Sequence, residues 1–213
     1  MNARVAAAPR RLVVGISGAS GFVYGQRLLE LLRGLGIETH LVVSRGALLT
    51  MTHETSLKLA ELNALASVTY RCDDIAAAIA SGSFATLGMI VAPCSMKTLA
   101  EIAHGLSSTL LARAADVTLK ERRRLVLLAR ETPYTLAHLR NMAAVTEMGA
   151  IVAPPVPAFY ARPASLEQMV DHTLGRVLDL FGLDTGRVAR WGEARGVSSL
   201  QAGSSESTTG ETT

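Results

Sequence analysis

The sequence predicts a single α/β domain in which helices cover both faces of a mostly parallel sheet, giving a three-layer sandwich. Short apolar runs with the composition of buried strands alternate with amphipathic helical segments, which is the pattern of repeated βαβ units. The chain has 213 residues, of which 49% are hydrophobic but only 4% are aromatic. This length and this aliphatic composition suit one domain with one continuous core.

The chain divides into one folded part and two terminal segments. Residues 1–10 form an Ala-rich arm with two arginines, and residues 11–193 carry the alternating pattern. Residues 194–213 are mostly Ser, Thr, Gly and Glu. So few apolar side chains cannot offset the entropy of ordering the backbone, and we expect this tail to be disordered.

Charge and cysteine content limit the classes of function. The net charge of +3 is small and spread along the chain, which argues against a nucleic-acid partner. Cys72 and Cys94 cannot build a disulfide framework and show no metal-type spacing, so we expect a cytoplasmic protein without a metal site. No apolar run reaches the roughly 18 residues needed to cross a bilayer, so membrane insertion is not expected.

The first predicted strand, residues 12–16, runs into a turn of small residues and then into an amphipathic helix, residues 22–35. Gly15, Gly18 and Gly21 are spaced G-x-x-G-x-x-G, which differs from the dinucleotide-binding pattern, and no Walker lysine follows. The first N–H groups of such a helix have no partner inside it and favour an anion. This spacing also fits a tight turn that binds nothing.

The later elements are predicted from apolar runs and breaker residues. Strands are expected over residues 37–43, 67–70, 87–92, 124–129 and 151–152. Helices are expected over residues 47–62, after Ser95, up to about residue 120, over 136–148 and from Ser165 onward. Pro93 is expected to end its strand because it cannot donate to the sheet. Ser165 and Gln168 have the spacing of a capping box.

Polar residues follow several of these strands. They occupy residues 17–21, Ser44, residues 94–98 and residues 130–131. Parallel sheets bind ligands outside the carboxyl ends of their strands, so these residues are expected to converge on one site.

Six sequence motifs occur in order along the chain. They are GISGASG (15–21), APCSMKTL (92–99), RAADVTLKERR (113–123), RETP (130–133), PPVPAFY (154–160) and RWGE (190–193). Together they resemble the flavin prenyltransferase family, the UbiX type, over roughly residues 11–193.

This resemblance implies a fold, an activity and partners. Family members bind FMN on a flavodoxin-like sheet and assemble as dodecamers with sites between subunits. They join a dimethylallyl group from dimethylallyl phosphate to N5 and then C6 of reduced FMN. The prenylated FMN serves a decarboxylase of the UbiD type. The sequence leaves open whether the donor is a monophosphate or a diphosphate.

The resemblance also implies roles for individual residues. Those expected to contact FMN are Ser17, Gly18, Ala19, Ser44, Ser95, Met96, Lys97, Thr98 and Arg130. Those expected near the donor phosphate are Tyr160, Arg176, Arg113 and Lys120. Those expected near the reacting edge of the flavin, and so catalytic, are Glu131, Ser20 and Glu54. Glu131 is expected to move the protons that leave N5 and C6.

One position departs from the family pattern. Some members carry a Trp before the Ser-Gly-Ser turn that borders the prenyl pocket, and residues 73–80 contain none. Trp191 is retained and could shield the allylic cation or simply pack at an interface. Cys94 is expected to be a packed side chain and not a nucleophile, since a cysteine at a strand end is usually buried.

Two other functions remain open at this stage. One is an FMN-dependent oxidative decarboxylase of the peptidyl-cysteine type, which is expected to need a catalytic His beside the flavin. The other is a non-catalytic subunit that delivers FMN to an aromatic acid decarboxylase. It would need the flavin motifs but not Glu131, Tyr160 or Arg176, and all three are present.

Overall fold

The computed structural model describes residues 10–190 of the chain. Within them, six strands form one sheet in the order β3-β2-β1-β4-β5-β6, and every pairing is parallel. The strands are β1 (Arg11–Ile16), β2 (Glu38–Val43), β3 (Val68–Tyr70), β4 (Gly88–Cys94), β5 (Arg124–Ala129) and β6 (Ile151–Val152). The predicted α/β fold is confirmed.

Helices cover both faces of this sheet. They are α1 (Phe22–Gly34), α2 (Arg45–Glu54), α3 (Leu59–Leu65), α4 (Met96–Ala103), α5 (Leu110–Lys120), α6 (Leu136–Glu147) and α7 (Leu166–Asp179). Two short 3-10 turns lie at Ala78–Ala80 and Phe159–Ala161.

The core consists of two layers, one on each face of the sheet. Side chains from α1, α2, α3 and α7 pack on one face, together with strand residues such as Val14 and Ile90. Side chains from α4, α5 and α6 pack on the other face, together with Val13 and Met89. Successive strand residues point to opposite faces of the sheet, so each buried strand contributes side chains to both core layers. Such a strand must therefore be apolar throughout.

The strand order places a crevice between β1 and β4. The chain moves outward from β1 through β2 to β3, then returns to β4 on the other side of β1. The loops after β1 and β4 therefore diverge, and the carboxyl ends of these two strands mark the point where open α/β sheets bind ligands.

Two predicted boundaries are wrong, each for a local reason. The helix predicted over residues 47–62 is two helices, because Thr55 is extended and its hydroxyl bonds to the carbonyl of Met51 and the N–H of Leu57. The strand predicted to stop before Pro93 continues to Cys94. Its pairing with β5 shifts register between Val91 and Cys94, which accommodates a residue that cannot donate.

The N-terminus of α7 lies where the sequence predicts it. Ser165 caps α7 by accepting a hydrogen bond from the Gln168 N–H (3.2 Å). The side-chain oxygen of Gln168 accepts from the Ala164 N–H and not from that of Ser165, as a capping box would require. The predicted N-terminal arm, the C-terminal tail and Trp191 lie outside the described residues. No helix within residues 10–190 combines the length and apolarity needed to cross a membrane.

Candidate active site

Ser17 joins the tips of β1 and β4. Its hydroxyl donates to the Pro93 carbonyl (3.1 Å) and accepts from the Ser95 N–H (2.7 Å), and its own N–H donates to the same carbonyl. Ser17 is only 1% exposed, so the fold itself uses this hydroxyl. Ser17 was predicted to contact FMN; in the chain it sets where α4 begins.

The N-terminus of α1 is capped by a carboxylate from a distant part of the chain. Glu54, the last residue of α2, accepts hydrogen bonds from the N–H groups of Gly21 (2.9 Å) and Phe22 (2.8 Å). The anion that the sequence pattern predicts at this turn is therefore supplied by the protein. Burial opposes ionisation of Glu54, but hydrogen bonds from Ser20, Phe22 and Gly21 and the positive charge of Arg130 lower its pKa.

A cleft of about 630 Å³ opens at the carboxyl edge of the sheet. Its walls come from the segments that follow five strands, β1 to β5, and from the segment before α5. The lining residues are Gly18, Ser44, Arg45, Gly46, Cys72, Asp73, Ser95, Met96, Lys97, Thr98, Glu101, Ser108, Thr109, Leu111 and Glu131. This volume lies within the range of about 300–1,000 Å³ that is typical of ligand sites.

The first turn of α4 forms one wall of the cleft. Ser95 caps the helix by accepting from the Thr98 N–H (3.3 Å), while Met96 and Lys97 begin the helix beside the cleft. First-turn N–H groups have no partner inside a helix, so this wall favours an anionic ligand group. Ser44 caps α2 in the same way through the Ala47 N–H (3.1 Å).

Two glycines bring a second pair of loops together across the cleft. A Cβ at Gly18 would lie 2.9 Å from the backbone of Gly46, closer than side chains approach. Gly18 was expected to contact FMN. In the structure its lack of a side chain allows the turn after β1 to touch the start of α2.

The cleft itself carries little positive charge. Its charged lining residues are the cations Arg45 and Lys97 and the carboxylates Asp73, Glu101 and Glu131. Lys97 is already paired with Glu101, whose Oε1 lies 2.8 Å from Nζ and also accepts from the Ser108 hydroxyl. A ligand with two phosphate groups would need further cations from outside this lining.

The three predicted catalytic residues lie at two positions along the strand tips. Ser20 bonds to Glu54 at the start of α1, and the charge of Arg130, just after β5, acts on the same carboxylate. Glu131 lines the cleft, where its Oε1 accepts from the Thr132 N–H (2.9 Å). Ala19 is half-buried in the turn between Gly18 and Ser20.

Tyr160 lies outside the cleft lining, on the loop that precedes α7. Its ring is 50% exposed and packs edge-on against His172, with the hydroxyl 3.4 Å from Nε2 of His172. His172 is buried on α7, and its Nε2 also lies 3.4 Å from the carbonyl of Ala189.

Arg176 lies one helical turn beyond His172 on α7. Its side chain is 56% exposed, and its NH1 donates to Oδ2 of Asp179 (2.7 Å). Tyr160 and Arg176, both predicted to bind the donor phosphate, are therefore associated with the same helix.

The other two predicted phosphate residues lie on the opposite face of the sheet. Arg113 and Lys120 belong to α5, whereas α7 packs on the other layer of the core. Arg113 pairs with Asp116 (2.7 Å), and Lys120 pairs with Glu121 at the far end of α5 from the cleft. Within a single chain the four residues therefore lie on two different faces of the sheet.

Several cleft residues were not singled out from the sequence. Arg45, Cys72, Asp73, Glu101, Ser108, Thr109 and Leu111 line the cleft without forming a motif. The one available signal was position, because Arg45 directly follows Ser44, and Cys72 and Asp73 lie two and three residues beyond the end of β3. Glu101 could not be found this way, since it lies one turn inside α4.

Cys94 is the last residue of β4. Cys94 is fully buried, and this burial raises the pKa of its thiol to about 12, which fits a packed side chain. Among the described residues, no group of three or more His, Cys, Asp or Glu side chains is arranged to hold a metal ion.

Sequence comparison gives consistent matches over most of the chain. A family model described as Flavoprotein matches residues 2–178. The flavin prenyltransferase UbiX of Neisseria meningitidis serogroup B is 57% identical over 182 residues, which cover 85% of this chain and 96% of the relative.

Solved structures of UbiX-type proteins also match the fold of this chain. A crystal structure of AnUbiX in complex with FMN and dimethylallyl pyrophosphate has a TM-score of 0.85 at 52% identity, covering 86% of this chain and 97% of that one. A dodecameric FMN-dependent UbiX-like decarboxylase from Escherichia coli O157:H7 has a TM-score of 0.83 at 48% identity, covering 85% and 98%.

A more distant solved structure shares the fold. The FMN-dependent cysteine decarboxylase TvaF from thioviridamide biosynthesis has a TM-score of 0.57 at 19% identity, covering 68% of this chain and 90% of that one. At this identity the likeness shows a shared fold alone.

Proposed function

The chain belongs to the flavin prenyltransferases of the UbiX type, and we propose that its strand-tip cleft holds reduced FMN while cations from more than one copy of the chain hold the donor phosphate. The activity is the transfer of a dimethylallyl group to FMN. Reduced FMN supplies electron-rich N5 and C6 atoms as acceptors for the allylic carbon.

The feature that best supports the FMN site is the cleft at the β1/β4 crevice. It combines a suitable volume with the first turn of α4, the hydroxyls of Ser44, Ser95 and Thr98, and an apolar wall from Met96 and Leu111. Helix-start N–H groups and hydroxyls suit a phosphate, and apolar side chains suit a flat ring system. The residues present therefore fit FMN.

The donor must lose a phosphate group while its allylic carbon becomes positive. Fixed cations that face the departing oxygen lower the energy of that charge separation. Arg176, Arg113 and Lys120 can supply them, with the Tyr160 hydroxyl as a further donor, and Arg suits bidentate contact with phosphate. No magnesium site is required for this arrangement.

These groups cannot all reach one phosphate from a single chain, since α5 and α7 lie on opposite faces of the sheet. We therefore infer that copies of the chain assemble so that α5 of one faces α7 of another. Large apolar side chains near Tyr160 are exposed, including Val156 (71%), Phe159 (74%) and Leu166 (75%). Their burial against another copy would favour such an assembly, which the dodecameric relative also supports.

Proton removal from the acceptor atoms is assigned to Glu131. It is the predicted catalytic carboxylate that lines the cleft. Glu54 is held by backbone N–H groups and by Ser20, so its role is to fix the turn after β1 and to place Ser20 beside the flavin.

A single anaerobic incubation tests the activity. The protein is mixed with reduced FMN and either dimethylallyl monophosphate or the diphosphate, and the flavin mass is measured. Gain of one five-carbon prenyl unit is expected, and the faster of the two donors identifies the substrate. Unchanged flavin with both donors, under conditions where the protein binds FMN, would contradict the proposal and leave a flavin-delivering subunit.

The product of the proposed reaction is a cofactor that a second enzyme would use. Prenylated FMN is a modified cofactor, so we propose that a decarboxylase of the UbiD type receives it. Restored decarboxylation when such an apo-decarboxylase is mixed with the reaction product, and not with FMN, would support this partnership.

A further inference from the structure

The C-terminal segment, defined here as residues 185–190, lies directly on α7. A Cβ at Gly175 would lie 2.4 Å from the Val188 side chain and 3.0 Å from Oγ1 of Thr185, so only glycine leaves room for this contact. The Ala189 carbonyl lies 3.4 Å from Nε2 of His172. The segment therefore covers the part of α7 that precedes Arg176.

Two carboxylates, eight residues apart on α7, fix this segment by ion pairs. Asp171 accepts from Arg187 (2.8 Å) of the segment and from Arg27 (2.6 Å) of α1. Asp179 accepts two hydrogen bonds of 3.1 Å from Arg190 of the segment. Eight residues are about two helical turns, so both carboxylates lie on one side of the helix.

Asp179 differs from Asp171 in its second partner. It also accepts from NH1 of Arg176 at 2.7 Å, and its side chain is only 17% exposed. A guanidinium carries five N–H groups, so this bond still leaves donors for a phosphate.

We propose that Asp179 is a positioning residue for the donor phosphate, acting by holding the Arg176 guanidinium and tying it to the C-terminal segment. This inference rests on the proposed function, in which Arg176 binds that phosphate. Hydrogen bonds from Arg190 lower the pKa of Asp179, burial opposes this, and the charges of Arg190 and Arg176 add to it, so the carboxylate is ionised at neutral pH.

Two opposing effects decide whether Asp179 strengthens or weakens the binding of the donor phosphate by Arg176. A negative charge beside Arg176 competes with the phosphate for the guanidinium. Against this, Arg176 is a long and largely exposed side chain that must lose its rotamer freedom on binding, and Asp179 removes much of that freedom in advance. Arg190 also contacts Asp179 and lies 3.5 Å from Asp184, so the negative charge of Asp179 is shared between two guanidinium groups and competes less strongly with the phosphate for Arg176. Positioning is therefore the larger effect.

The test compares Asp179→Asn with Asp171→Asn in the full-length chain. Both variants weaken the attachment of the C-terminal segment, but only the first removes the ionic partner of Arg176. For Asp179→Asn we expect the KM for the dimethylallyl donor to rise about tenfold, the effect of losing one charge-assisted contact. The KM for reduced FMN should stay unchanged. Asp171→Asn should leave the donor KM within about twofold of the wild type, and melting temperatures report any shared loss of stability.

A second comparison tests whether Asp179 acts on the donor KM through Arg176. In an Arg176→Lys background, Asp179→Asn should change the donor KM far less than in the wild type, because the group it positions is gone. Equal effects of Asp179→Asn and Asp171→Asn, or a lower donor KM in Asp179→Asn, would overturn the inference. Absence of prenylation by the wild-type protein would instead contradict the proposed function.

Discussion

Glu54 shows how one side chain can decide the chemistry of a whole turn. The small-residue turn after β1 presents N–H groups that would suit a ligand anion, yet the Glu54 carboxylate already binds two of them. The same carboxylate is hydrogen-bonded to Ser20, and the positive charge of Arg130 helps to lower its pKa. A residue 33 positions away thus converts an apparent phosphate site into a rigid support for Ser20.

Glu54 should therefore contribute a stability that depends on pH. Its pKa is lowered in the folded protein from about 4.5, so its contribution is complete above that value and is lost as the pH falls through the folded-state pKa. We expect Glu54→Gln to be less stable than the wild type at pH 7, and the difference to shrink below about pH 4.5. Urea unfolding across this range measures it, and a difference independent of pH would contradict the assignment.

Glu131 should separate flavin binding from turnover. It lines the cleft, and its assigned task is to accept protons from the acceptor atoms. The variant Glu131→Gln keeps the shape of the side chain but removes the base, so FMN should bind with unchanged affinity while prenylation slows by about 10²–10⁴-fold. Flavin fluorescence titration and product mass analysis report the two quantities separately. Prenylated FMN formed at the full wild-type rate would exclude this role.

At the level of secondary-structure elements, the cleft depends on where α4 begins. The Ser17 hydroxyl bridges the Pro93 carbonyl and the Ser95 N–H, and Ser95 in turn caps α4. The first turn of that helix is thereby set against the tip of β1. Because β4 continues through Pro93 before α4 starts, this bridge lies at the junction of strand and helix.

Ser17→Ala should loosen this junction. The substitution leaves the partly buried Ser95 N–H without its partner, which costs about 1 kcal/mol of unfolding free energy. In a domain of this size about 1 kcal/mol corresponds to roughly 2–4 °C in melting temperature. We also expect weaker FMN binding, since the first turn of α4 would no longer be held in place.

Ser83→Ala is the matched control for Ser17→Ala. Ser83 is exposed, and its hydroxyl bonds only to that of Ser81 among the contacts the structure gives it. Its loss should change the unfolding free energy by less than about 0.5 kcal/mol. Equal melting temperatures for the two variants would show that the Ser17 bridge does not stabilise the junction.

For the molecule as a whole, the two faces of the sheet set the limits of a single chain. Tyr160 and Arg176 belong to the α7 face, and Arg113 and Lys120 belong to the α5 face. The cleft at the carboxyl edge of the sheet is lined by more carboxylates than cations. The phosphate site proposed above therefore needs the α5 of one copy beside the α7 of another.

Mixed assemblies test this sharing directly. Arg176→Ala and Arg113→Ala should each be nearly inactive alone. When both chains are co-expressed and assemble at random, about a quarter of the sites combine an intact Arg176 with an intact Arg113, as the product of two halves. Activity of the mixture should rise to about a quarter of the wild type.

Two controls sharpen the mixing experiment. Assemblies purified separately and mixed without exchange should stay inactive, which excludes independent action of the two chains. Co-expressed assemblies of proven mixed composition that stay inactive would contradict a site built from two copies.

Local patterns in the sequence were enough for much of the fold. Alternation of apolar runs with amphipathic segments predicted the parallel sheet and its helices, including the helix after Ser95, and Ser165 was recognised as a helix cap. The strand-end position of Ser44 and of residues 95–98 led directly to the cleft. These features depend on residues that lie within one turn or one strand of each other, so they can be predicted from the order of residues along the chain.

Only the tertiary structure decided which distant residues meet. The sequence could not show that Glu54 caps α1, that the hydroxyl of Ser17 is used by the fold, or that Arg113 and Arg176 lie on opposite faces. Such pairings follow from the strand order and from the side of the sheet on which each helix packs. Burial of the apolar layers sets both, and that energy belongs to the whole core and to no single segment.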